Sequence, residues 1–164
     1  LEVTYSIWLT LSKTDEAYLT RIIQALSKEY IAPAFRPHCT VFSPWELNPD
    51  DLVQATDWNE VGEFSVEMTR IHHSDWIWKT VFIELKPNQK LIWINQQISR
   101  LSSGQYSFRP HISLIYRKMN QQKRQELCDR LELKPWYTFG TLEIVDTSGP
   151  VIEWRTHIRI PLTK

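Results

Sequence analysis

The sequence predicts an α+β protein of two lobes. One unit is written twice and related by a pseudo-twofold, with mostly antiparallel sheets and outer helices around a central cleft. Three observations predict it. The stretch FRPHCTVF at Phe35–Phe42 returns as FRPHISLIY at Phe108–Tyr116. Each copy follows a segment with helical periodicity. Segments with period-two alternation come in pairs joined by turn signals, and strict strand–helix–strand alternation is absent, which favours antiparallel pairing.

The elements follow in order. VTYSIWLTL, near the start, is rich in β-branched and aromatic residues and reads as a strand. In DEAYLTRIIQALSKEY, Leu19, Ile22, Ile23, Leu26 and Tyr30 recur at helical spacing. Thr14 is the expected N-cap, and Asp15 and Glu16 suit the positive end of the first turn. HCTVFS is the next strand, with Pro37 at its entry, where proline costs no ladder bond. NPDDLVQATDW begins a short helix at Pro49 or Asp50. EFSVEMTRIHH and WIWKTVFIELK alternate and flank a Ser-Asp turn, so a hairpin is expected. PNQKLIWINQQISRL carries Leu91, Ile94, Ile98 and Leu101 on one side of a second long helix. The second HisxSer strand follows, then a helix capped by Asn120. TFGTLEIVD and VIEWRTHIRIPL close the chain as a hairpin about the turn at Ser148, Gly149 and Pro150. The pattern from the first long helix to the central hairpin is expected to recur from the second long helix to the C-terminal one.

At 164 residues the chain is expected to form a single domain, 1–164, able to bury about two-thirds of its unfolded surface. Nineteen basic residues balance nineteen acidic ones, and the pI is 7.1. That balance argues against a non-specific polyanion binder, though not against a small phosphate ligand. The two cysteines, Cys39 and Cys128, are too few and too distant for a disulfide framework or a cysteine-based zinc site. No apolar run approaches the ~20 residues of a membrane span. LEVTYSIWLTLSK has neither a basic flank nor a small-residue cleavage site. A cytoplasmic monomer is expected.

The repeated motif has a chemistry. Side chains on a strand alternate between faces, so His38 and Thr40 share one face while Cys39 and Val41 share the other. His111 and Ser113 repeat the arrangement, backed by Ile112 and Leu114. Each copy sets an imidazole and a hydroxyl about 6.5–7 Å apart along the strand. If a pseudo-twofold turns the two polar faces together, two imidazoles and two hydroxyls line one cavity. One imidazole can then accept a proton while the other donates, and the hydroxyls can donate to the non-bridging oxygens of a phosphodiester. No metal is required. A lone HisxThr in a strand carries little weight; two copies in matching places of a duplicated unit carry much more. Cys39 falls on the apolar face and is expected to be inert. His72 and His73 are adjacent, point to opposite faces, and make poor co-ligands for one metal.

Both motifs, the YSIW opening, the proline before each histidine and the aromatic ending PHISLIY resemble the two-histidine phosphoesterase superfamily, and within it the cyclic phosphodiesterases of plants and fungi. The likeness runs along most of the chain. It implies metal-independent hydrolysis of small cyclic-phosphate nucleotides: nucleoside 2′,3′-cyclic phosphates or ADP-ribose 1″,2″-cyclic phosphate. It implies no cofactor. By position, His38 and His111 are the acid/base pair, His111 activating water and His38 protonating the leaving oxygen, while Thr40 and Ser113 hold phosphate oxygens. Tyr116 is a further substrate contact, and its parity requires the strand to bend or end near Ile115. Trp78 and Phe82 are expected on one strand face as a wall for a base. Arg36 and Arg109 precede the two motifs at matching positions and either flank the cavity mouth or are simply exposed. Two other readings stay open: an RNA-end enzyme of the same superfamily acting on short RNA 3′ ends as a 2′–5′ ligase or exonuclease, and a non-catalytic nucleotide- or RNA-binding module.

Overall fold

The computed structural model describes residues 3–164, so Leu1 and Glu2 of the N-terminal stretch lie outside the described residues. Strand β1 (Tyr5–Leu11) leads into helix α1 (Lys13–Tyr30), then β2 (His38–Trp45) and the short α2 (Pro49–Gln54). The second half holds β3 (Phe64–His73), β4 (Val81–Leu85), α3 (Gln89–Ser99), β5 (His111–Ile115), α4 (Gln121–Arg130), β6 (Trp136–Asp146) and β7 (Arg155–Pro161). Every strand pairing is antiparallel, in the order β2-β1-β6-β3-β4-β5, with β7 added along β6.

The two His strands sit at the two ends of this order, yet they lie against each other. The sheet therefore splits into two lobes that fold toward one another. One lobe is β2-β1-β6-β7 and the other is β5-β4-β3, joined where Phe64–Glu67 pair with Trp136–Phe139. The helices are exchanged between lobes: α1, which leads into β2, packs on β5, and α3, which leads into β5, packs on β2. Leu19, Ile23 and Leu26 of α1 and Leu91, Ile94 and Ile98 of α3 are the buried stripes that do so. Each such side chain contributes roughly 1.5–3 kcal/mol on burial, so lobe closure and core formation are one event. The outer edge of β2 is covered rather than free: Asn95 Nδ2 donates to Val41 O at 2.8 Å and Tyr106 Oη to Thr40 O at 3.3 Å.

Several expectations shift. Ser12, not Thr14, caps α1: its hydroxyl accepts from Asp15 N and the helix begins at Lys13. Asn48, Asn88 and Asn120 cap the other three helices. The segment WIWKTVFIELK is not one strand. Ile77–Lys79 form a 3-10 turn and only Val81–Leu85 extend, so Trp78 and Phe82 do not share a strand face. Ser74 Oγ, donating to Lys79 O at 2.6 Å, and Thr80 Oγ1, donating to Ile77 O at 3.0 Å, hold that turn. The repeat also has a different frame. Residue pairs Trp8↔Thr40 and Thr10↔His38 match Phe82↔Ser113 and Glu84↔His111. The duplicated unit is thus strand, helix, His strand, helix, strand (β1 to β3, then β4 to β6), and β7 has no counterpart.

Candidate active site

β2 and β5 deliver His38, Thr40, His111 and Ser113 to one cavity of about 660 Å³ between the lobes. The strand parity expected from sequence thus holds in both copies. Cys39 faces away, fully buried, and burial pushes its thiol up to about 12.

The imidazoles are held alike. His38 Nδ1 lies 2.6 Å from Arg36 O, and His111 Nδ1 lies 2.8 Å from Arg109 O. A carbonyl only accepts, so each neutral ring carries its proton on Nδ1 and leaves Nε2 as the free base. Each histidine is oriented by the backbone of the arginine two residues before it. Burial disfavours the charged form and lowers His38 to about 3 and His111 to about 4, opposed in part by those same carbonyl bonds.

Beneath them the repeats differ. Trp8 stacks flat on His38, with centroids 3.5 Å apart and an 8° tilt. Phe82, its counterpart, meets His111 edge-on at 5.6 Å. Phe82 is buried beside His111 and does not line the cavity. Ser113 Oγ donates to Trp78 O at 2.6 Å. Tyr116 reaches the cavity because β5 ends at Ile115. It stacks on Phe35 at 3.8 Å, and burial raises its hydroxyl pKa against a hydrogen bond with Ser113.

Trp78 lines the cavity from the 3-10 turn rather than from a strand. Trp154, just before β7, completes an aromatic cluster 5.7 Å from Trp78, 5.8 Å from Trp8 and 5.9 Å from Tyr116. It therefore bridges the lobes. Sequence reasoning passed over it because it sits outside the repeat; its one signal is its place after the Gly149-Pro150 turn. Also unforeseen is a neutral end of the cavity, where Ser6 Oγ bonds Ser43 Oγ at 2.7 Å and Thr147 Oγ1 at 3.0 Å. Three separate segments build it, and no local pattern marks it.

The two arginines part company. Arg36 makes a bidentate pair with Glu143, 2.9 Å for each bond, and also reaches Glu16. Burial opposes ionisation of Glu143, but hydrogen bonds from Arg36, Thr10 and Thr156 outweigh it and hold the carboxyl at about 2. Arg36 is thus a strut behind His38 and is not at the cavity wall. Arg109 lines the cavity, as does Lys79. Among the described residues no group of three His, Cys, Asp or Glu side chains could hold a metal ion. Among them, too, no helix is long and apolar enough to cross a membrane.

Known proteins resemble the chain along most of its length. A curated cyclic phosphodiesterase of Arabidopsis thaliana is 20% identical over 130 residues, covering 77% of this chain and 72% of that protein. Escherichia coli LigT, solved with 3′-AMP, aligns over 99% of both chains at 16% identity with a TM-score of 0.63, and solved with NADP+ at 14% identity with a TM-score of 0.64. A Thermus thermophilus protein, TT0787, aligns over 97% of both chains at 13% identity with a TM-score of 0.57. These structural likenesses show the shared α+β fold. The model of the cyclic phosphodiesterase-like protein family matches residues 3–161, and the chain belongs to that family.

Proposed function

We propose that the protein hydrolyses cyclic phosphodiesters of nucleotides to phosphomonoesters with its two imidazoles and no metal. One observation carries the reading. Two histidines line one cavity, each with Nδ1 fixed by a carbonyl and each with a hydroxyl two residues on. In the reaction, His111 Nε2 takes a proton from water as the water oxygen bonds to phosphorus. The phosphorus–oxygen bond to the ribose breaks, and His38, protonated on Nε2, gives that proton to the leaving alkoxide. Thr40, whose hydroxyl has no partner among the described residues, donates to a non-bridging oxygen. Ser113 does so after turning from the Trp78 carbonyl, and Tyr116 donates beside it.

Two contacts favour this assignment of roles. The indole face under His38 attracts a cation and so favours an imidazolium there. The Lys79 ammonium disfavours protonation of His111, which suits a base. Burial ranks the pair the other way, since His38 is the deeper of the two, and the charges of His111 and Arg36 add to that against Glu143; the stacked indole acts on His38 only. The protein by itself keeps both rings neutral. The negative charge of a bound phosphodiester is what raises the acid into its working range.

The cavity has the size of a small-molecule site, which runs to about 300–1,000 Å³. The aromatic cluster of Trp78, Trp154 and Tyr116 offers a base a stacking surface. The Arabidopsis relative is named a cyclic phosphodiesterase, and LigT has been solved with 3′-AMP and NADP+. Nucleoside 2′,3′-cyclic phosphate and ADP-ribose 1″,2″-cyclic phosphate are the substrates proposed. Phosphorus NMR of a panel holding both, with a 2′–5′ dinucleotide, tests the reading. The expected result is a monoester from a cyclic phosphate, undiminished by excess chelator. Turnover of the dinucleotide alone would favour the RNA-end reading. Binding without turnover would favour a nucleotide-binding module.

A further inference from the structure

The duplication supplies an internal control for charge. Arg36 and Arg109 stand at the same place in the two copies, each lending its carbonyl to a histidine. The Arg36 guanidinium is taken up by Glu143 and Glu16. Arg109 has no carboxylate partner among the described residues, and neither has Lys79, its neighbour in the cavity wall. The reason lies in the registers. Glu143 sits across β1 from Thr40, beyond Trp8. The matching place in the other lobe, across β4 from Ser113 and beyond Phe82, is His72. The second copy therefore has no carboxylate to neutralise its arginine.

A lysine is added instead. The Lys79 ammonium stands 4.4 Å over the Phe82 ring, the ring that His111 meets edge-on. Lys79 is half-buried, and burial lowers its pKa, with Arg109 adding repulsion and Glu84 opposing both. Two like charges held together in a cavity wall repel each other, and an anion between them relieves that repulsion; the nearest carboxylate, Glu84, is already paired with Arg70. Another part of the cavity lining, Ser6, Ser43 and Thr147, is neutral. The cavity wall thus carries a cationic pair and a separate neutral hydroxyl cluster besides the histidines.

We propose that Lys79 and Arg109 form a second anion subsite, which selects cyclic phosphates bearing a further phosphate or diphosphate elsewhere on the nucleotide. This rests on the cavity being the phosphodiester site. A nucleoside 2′,3′-cyclic phosphate with a free 5′-hydroxyl leaves the cationic pair unengaged, and a 5′-phosphorylated one engages it as well. Charge-assisted hydrogen bonds of this kind give about tenfold or more in affinity.

The test compares adenosine 2′,3′-cyclic phosphate with its 5′-phosphorylated form, in the wild type, Lys79→Met, Lys79→Arg and Arg109→Met. Calorimetry of adenosine 2′,5′-bisphosphate against adenosine 2′-monophosphate gives a readout that needs no turnover. The expected result is a preference of about tenfold or more for the 5′-phosphorylated substrate, carried by KM and weakened by salt. It falls toward unity in Lys79→Met and Arg109→Met and is kept in Lys79→Arg. A wild type with no preference overturns the proposal. So does a Lys79→Met that slows both substrates equally, because Lys79 would then serve the reacting phosphate. If neither substrate is hydrolysed but the bisphosphate still binds more tightly through Lys79, the subsite stands and the hydrolase reading falls.

Discussion

His38, buried, and His111, half-buried, are held neutral by desolvation, at about 3 and about 4, against about 6.5 in an unfolded chain. Between those values the unfolded chain binds more protons, so stability rises with pH across the window and is lost as pH falls from 6.5 toward 4. Thermal unfolding should therefore drop on acidification from pH 7 to pH 5, with a shallower slope in His38→Gln. An unchanged slope would mean that His38 is not buried neutral. The same depression predicts that the bell of kcat/KM, which reports the free enzyme, lies on the acid side of 6.5. The profile of kcat should sit at higher pH, because bound phosphodiester favours the charged ring. Thr40→Ala should lower kcat by up to about 10²–10³, the scale of one oxyanion donor. A change below about twofold would take Thr40 out of the phosphate site. Residue identity made the His-hydroxyl pairs legible, since parity along a strand needs no tertiary knowledge. Tyr116 needed one fact that the sequence leaves open: where β5 ends.

Elements carry the next contrast. Glu143 in β6 is fully buried and Arg36 ties it to the chain entering β2. Breaking a buried pair by removing one partner leaves an uncompensated charge and costs about 3–5 kcal/mol. Arg36 is itself 40% exposed, so Arg36→Met should fall near the lower end, roughly 6–12 °C in Tm for a chain this size. Arg109→Met, its counterpart without a carboxylate, should move Tm by no more than roughly 2 °C. Equal losses would refute the asymmetry between the copies. Elements were legible where periodicity was strong, as in α1 and α3. The 3-10 turn at Ile77–Lys79 was not. Its apolar alternation reads as strand, and the side-chain bonds of Ser74 and Thr80 that bend it are invisible to a hydrophobic pattern.

At the scale of the whole molecule, the duplication builds the site twice over and then breaks its symmetry. The exchanged packing of α1 and α3 holds β2 and β5 face to face. The twofold arrangement was legible from the repeated FRPH stretch and the like elements around each copy. Its frame was not, because β7 and Trp154 belong to no repeat, and only the pairing register reveals that β1 matches β4. The breaks fall at functional places: indole against phenyl under the histidines, Glu143 against His72 beside them, and Lys79 added on one side. The measurement closest to the central claim is the initial rate of nucleoside 2′,3′-cyclic phosphate hydrolysis, in excess chelator, by the wild type, His38→Ala, His111→Ala and the double variant. Residues that act as a unit are not additive, so each single variant should lose most activity and the double should lose little more than the worse single. Wild-type-like turnover in either single variant would contradict the two-imidazole chemistry.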